Sequence, residues 1–131
     1  SSDNTIHTSS GDLTINAAGG DVIIAGNLQV DGTTTTVNST AITVDDPILT
    51  LGGDSAPGSD DNKDRGVVFR WHNGSAAKTG FFGYDDSASK FTFIADASNS
   101  SEVISGSAGD VAFGGITGTS LDGCTINGGT F

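Results

Sequence analysis

A short phrase recurs along this chain and limits what it can fold into. Gly11-Asp12-Leu13-Thr14-Ile15 is followed by Gly20-Asp21-Val22-Ile23-Ile24 and Gly26-Asn27-Leu28-Gln29-Val30. The phrase returns as Gly109-Asp110-Val111-Ala112-Phe113, and more weakly as Gly123-Cys124-Thr125-Ile126. Each copy is a glycine, a small residue and a strand-like run with apolar residues two apart. Gly with Asp or Asn supplies turn conformations, and period-two alternation describes a strand with one buried face. A unit this short cannot enclose a core, so its apolar face must be covered by a neighbouring unit. Two architectures satisfy that, a monomeric β-helix and a shaft made by several chains. A monomeric β-helix needs many coils of similar length, whereas the turns here are few and irregular at both ends. The repeat therefore points to interchain packing around Leu13, Ile15, Val22, Ile24, Leu28 and Val30.

Composition points the same way. Leu, Ile, Val and Phe together number only 30 of 131 residues, beside 20 glycines. That is close to the range of disordered chains. The apolar residues are mostly β-branched and alternate with polar ones, which disordered segments do not show. A chain with evident strands and too little apolar surface to bury alone is expected to find its core between subunits. The formal charge of −11, with five Lys and Arg in all, argues against nucleic acid, which needs clustered cations. No apolar run approaches the roughly 20 residues of a membrane-spanning helix, and no signal-like segment opens the chain. With a single cysteine, Cys124, neither an intrachain disulfide nor a cysteine-based metal motif can form. The start at Ser1 without Met and the end at Phe131 lead to the expectation of a piece of a longer protein.

Three segments are expected. Residues 1–53 form N-terminal shaft-like β-repeats. They continue through the β-branched Thr33–Thr40 into the alternating strands Ala41–Val44 and Ile48–Leu51. A Pro- and Asp-containing loop, 54–64, opens a compact part that extends to 106. There Gly66–His72, Gly80–Tyr84 and Lys90–Ile94 read as the strands of a β-meander, with Asn73-Gly74 as a hairpin turn and Glu102–Ile104 as a short closing strand. This part holds seven of the nine aromatic residues. Residues 107–131 resume shaft-like sequence. The fold class is all-β, and no segment has helical periodicity.

The string GNLQVDGTTTTVNSTAITVDDPILTLGG, followed by DDNKDRGVVFRWHNGSAAKTGFFGYDDSASKFTFI, resembles a segment found in tail-fibre and virion structural proteins of tailed bacteriophages, those infecting marine cyanobacteria in particular. The resemblance covers about two thirds of the chain. It implies an elongated homotrimer, in which interchain shaft segments flank a meander or sandwich-like bead. It further implies assembly in the host cytoplasm, residence in the virion tail, and other virion proteins as partners. The expected function is a structural segment of a tail fibre supporting host attachment. The alternative is a receptor-binding module that contacts host glycan or an outer-membrane protein. The His-x-His metal repeats of some fibres have no counterpart, because His7 and His72 stand alone.

Candidate sites are few. Asp60, Asn62 and Asp64 alternate as oxygen ligands do in calcium loops, but the glycine comes one place late and Trp71 stands where a bidentate acid would be. This excludes an EF-hand and leaves a looser surface Ca²⁺ site to weigh against a solvated acidic loop. Trp71, His72 and Tyr84 could present an aromatic platform to a sugar. Alternation, however, places Val67, Phe69 and Trp71 on one face, where core or subunit contact is the plainer reading. Asp85-Asp86 has the look of a paired acid, but it stands in a turn where Asp is expected. No Ser-His-Asp set is suggested by spacing. The chain is therefore not expected to be an enzyme, and no cofactor other than that calcium is expected.

Overall fold

A computed structural model describes residues 4–118 of the chain, and among them every regular element is a β-strand. The strands are β1 (Arg65–His72), β2 (Ala77–Asp85), β3 (Lys90–Ile94), β4 (Ser98–Ser100) and β5 (Val103–Ser105). The first three form an antiparallel sheet in the order β1-β2-β3, and β4 and β5 form a separate two-stranded hairpin. The expected meander is present with its strands nearly where alternation places them. The closing strand differs: Val103–Ser105 pairs with Ser98–Ser100 and does not join the meander. The turn of that hairpin has two residues, Ser101 and Glu102, both with positive φ, 53° and 62°. This is the geometry of the primed turns that match strand twist.

The two longer turns are built by side chains. Asn73 opens a four-residue loop between His72 and Ala77, and its Oδ1 accepts from the backbone N–H of Ser75 and Ala76 at 2.9 and 2.7 Å. Gly74 supplies the left-handed step there, at φ 93°. Asp85 performs the same service between β2 and β3, with its Oδ1 accepting from Ala88 N–H and Ser87 Oγ–H.

The chain divides into two units between Val44 and Asp45. Residues 45–53, expected with the N-terminal repeats, thus group with the sheet; Gly52, at φ 97°, lies so close to Arg65 that a Cβ would fall 2.8 Å from Nε. In the first unit the expected strands do not form ladders in a single chain. A strand exists as regular structure only when a neighbour takes up its N–H and C=O groups, and no described residue of this unit belongs to a strand or bridge. The large apolar side chains of this unit are 51–83 % exposed. The contrast within one repeat is informative: Val22 and Ile24 are 52 % and 51 % exposed, and Ile23 between them is 83 % exposed. Within that repeat the alternation read from sequence shows as a difference in exposure, though none of the three side chains is buried.

In the second unit the buried apolar core of the described residues consists of Phe81 and Ile94, each 3 % exposed. They are cross-strand partners, together with Val68, and so share one face of the sheet. Phe81 lies over two facing glycines: a Cβ on Gly66 or Gly83 would fall 2.7 or 2.5 Å from its ring. Gly106, just beyond β5, closes over Ile94, where a Cβ would meet Cγ2 at 2.6 Å. The far edge of β3 is occupied by the bridge Ile94–Ala108 and by Gly109 N–H, which donates to Phe93 C=O at 2.8 Å. Among the described residues the outer edge of β1 carries no strand partner. Of the C-terminal segment expected at 107–131, residues 119–131 and Cys124 among them lie outside the described residues.

Candidate interaction face and acidic loop

Register assigns the second face of the sheet. Val67 pairs with Phe82, and Phe82 with Phe93; Arg65 pairs with Tyr84, and Tyr84 with Phe91; Phe69 pairs with Gly80 and Trp71 with Lys78. Val67, Phe69, Trp71, Phe82, Tyr84, Phe91 and Phe93 therefore project from one side. None of them is buried, and their exposure runs from 39 % to 74 %. They are nevertheless ordered among themselves. Phe82 and Phe93 stack at 4.3 Å between ring centroids with 20° between planes, and Tyr84 meets Phe91 edge-on at 5.4 Å. Phe69 lies flat across Gly80, whose missing side chain leaves the room: a Cβ would sit 2.2 Å from the ring. Trp71 reaches across the sheet, and its Nε1–H donates to Ala95 C=O at 2.9 Å. Cross-strand aromatic pairs of this kind stabilise a sheet by a few tenths to 1 kcal/mol each, and here they also pave a continuous apolar surface.

This sharpens the sequence reading of the set. Alternation groups Val67, Phe69 and Trp71 correctly, but they are not the chain's own core, which lies on the opposite face with Val68. The proposed sugar platform is not assembled. Trp71 and Tyr84 share a face but sit at opposite ends of it, six residues apart along β1, or about 20 Å. His72 belongs to the other face, opposite Ala77, and its Nδ1 accepts from Gly74 N–H at 3.0 Å as part of the turn. Its lone pair is thus used locally.

The acidic loop is also organised for structure. Asp64 is buried, and both carboxylate oxygens are occupied: Oδ1 accepts from Asp86 N–H at 2.9 Å and Oδ2 from Ile104 N–H at 2.6 Å. Its own N–H donates to Glu102 C=O at 2.8 Å. One side chain thus ties the start of β1 to the β2–β3 turn and to the β4–β5 hairpin. Asp60 Oδ1 accepts from Asn62 N–H, and Asp61 Oδ1 from Lys63 N–H, the local turn bonding that Asp favours. The calcium set Asp60, Asn62 and Asp64 is therefore not brought together, because Asp64 turns inward to backbone amides. Among the described residues no group of three or more His, Cys, Asp or Glu could hold a metal ion. Arg65 Nη2 pairs with Asp61 Oδ2 at 2.6 Å, and Lys63 Nζ with Glu102 Oε2 at 2.9 Å. The Arg65 hydrogen bond holds the Asp61 carboxyl below its ordinary pKa. At Asp85 the Ala88 amide, with Ser87, does the same.

The Asp64 clamp was invisible to spacing arguments, since its amide partners stand 22 and 40 residues away. The aromatic face was visible in part, as the odd-numbered residues of β1. Its other half depends on the β1–β2–β3 register, which no motif in the sequence announces. Comparison with known protein families, curated proteins and solved structures finds no match to the chain.

Proposed function

We propose that this chain is a structural segment of a tailed-phage fibre, built as a homotrimer and carried in the virion tail, where it supports host attachment. The observation that carries the reading is the state of the N-terminal repeats. Leu13, Ile15, Val22, Ile24, Leu28 and Val30 stand two residues apart outside any strand ladder, and in one chain each is more than half exposed. Strand-patterned segments with exposed apolar residues and no ladder are what a shaft subunit would show before its neighbours are added. Chains wound about a common axis would supply both the missing hydrogen bonds and the missing cover. Three copies, rather than two, follow from the resemblance of residues 26–106 to fibre segments. Other virion proteins are the partners expected at either end.

The test is location. Antibodies raised against the chain should decorate the tails of particles made by the phage that encodes it, at a fixed height along a fibre. Intact particles that lack the chain, with unchanged tails, would contradict the reading.

A further inference from the structure

We propose that the aromatic face of the β1–β2–β3 sheet is the surface through which copies of this chain meet in the bead, so that Phe82, Phe91 and Trp71 of one copy pack against the same face of its neighbours. The inference rests on the homotrimer of the preceding section, but on a separate observation, because the shaft repeats take no part in it.

Size comes first. Six aromatic side chains, each offering about 150–250 Å² when fully accessible, stand on this face with Val67 at roughly half exposure. Together they present roughly 600 Å². That is at the upper limit of apolar patches on monomers, and close to the roughly 800 Å² that one partner contributes to a standard interface. Aromatic enrichment with charge depletion is also the composition of interface centres.

Charge then selects the partner. Two copies each carrying −11 repel one another over most of their surface. On this face the strands contribute no carboxylate. Its two charged residues are Arg65 and Lys78, and both are already neutralised, by Asp61 and Asp96. Carboxylates stand at its margins, Asp110 beside Phe69 and Phe93, Asp61 and Asp86 beside Tyr84, and Asp96 on Lys78, so like copies can meet over its centre with few like charges facing. Necessity adds to this. Phe81 and Ile94 alone, the buried apolar residues among those described, are too small a core for a small domain to stand on. The covering partner must therefore be present whenever the chain folds. Another copy always is, and closed rings of identical subunits are the common solution.

The chain contains its own reporter. Trp71 is the one tryptophan and lies on this face. In the assembled full chain, acrylamide should quench its fluorescence many-fold less than free indole, well below what the 39 % exposure of Trp71 in a single folded chain permits, with emission shifted to the blue. Phe91 is 74 % exposed in the single chain, so F91E leaves the chain's own core intact. It should raise the dissociation constant about 30-fold or more, the loss typical of a buried interface aromatic. R70E, on the opposite face, should leave association within a few-fold of the parent. An assembled trimer whose Trp71 is quenched as freely as its 39 % exposure in a single folded chain allows overturns this assignment and leaves the homotrimer standing. So does F91E associating as tightly as R70E. A folded monomer, with Trp71 shielded or not, overturns the homotrimer and this face with it. The quenching comparison needs no substitution, so it decides even if F91E fails to fold.

Discussion

Asp64 shows how much one residue can hold in a thin fold. Its two carboxylate oxygens and its backbone N–H join three stretches of chain that otherwise share little buried apolar surface. A hydrogen bond to a charged group contributes about 1.5–3 kcal/mol, and a buried amide left without a partner costs 1–3 kcal/mol. Asp64→Ala is therefore expected to destabilise the sheet unit by about 3 kcal/mol, and Asp64→Asn, which keeps one good acceptor, by about half as much. Chemical denaturation at one fixed protein concentration measures both; equal stability of the alanine variant and the parent would show that the clamp contributes nothing. Asp64 also marks a limit of reading from sequence. Its neighbours Asp60 and Asn62 invite a metal-loop interpretation by spacing alone, and its true partners lie too far along the chain for spacing to show. Trp71 and Tyr84 mark the same limit from another side. Both were legible as surface-capable aromatics, but their separation depends on a strand register that the residues do not spell out.

Among the elements, the meander was the most legible, because its signals are local. Alternation gives β1, aromatic and β-branched runs give β2 and β3, and Asn73 and Asp85 mark the turns. The β4–β5 hairpin was half seen, since three-residue strands are shorter than any period can establish. The turn at Asp85 yields an acid-linked prediction. Its pKa is lowered by the Ala88 amide and the Ser87 hydroxyl. A carboxylate with a depressed folded-state pKa contributes stability that is present above its unfolded pKa, near 4, and is lost as pH falls through the lower folded value. Asp85→Asn should therefore be less stable than the parent at pH 6, and the gap should be narrower at pH 3. Thermal melts of the pair at both pH values check it, and a gap that stays constant would place the Asp85 contribution outside ionisation. The outer edge of β1, eight residues with no strand partner among the described residues, is the element-level feature most in need of cover. Long uncovered edges invite pairing with other chains.

At the scale of the whole molecule, the sequence made a strong statement about what would be missing. Thirty Leu, Ile, Val and Phe among 131 residues, spaced for strands, announced a chain that folds into sheets and cannot enclose them. The described structure has that character. The described N-terminal repeats form no ladder and leave their large apolar side chains exposed, and the sheet unit buries Phe81 and Ile94 on one side while its aromatic side stays open. The place of the strands was legible because it is set by neighbours in sequence. The cover for them was not, because in this account it is supplied by other copies. Folding and association are then one event, and stability should depend on concentration.

Sedimentation equilibrium of the full chain at micromolar concentration, paired with melts at several concentrations, measures the number of copies and its link to folding. A mass three times the 13.1 kDa of one chain and a melting temperature that rises with concentration are expected. A species of 13.1 kDa that keeps its β-structure and melts at the same temperature at every concentration would contradict both.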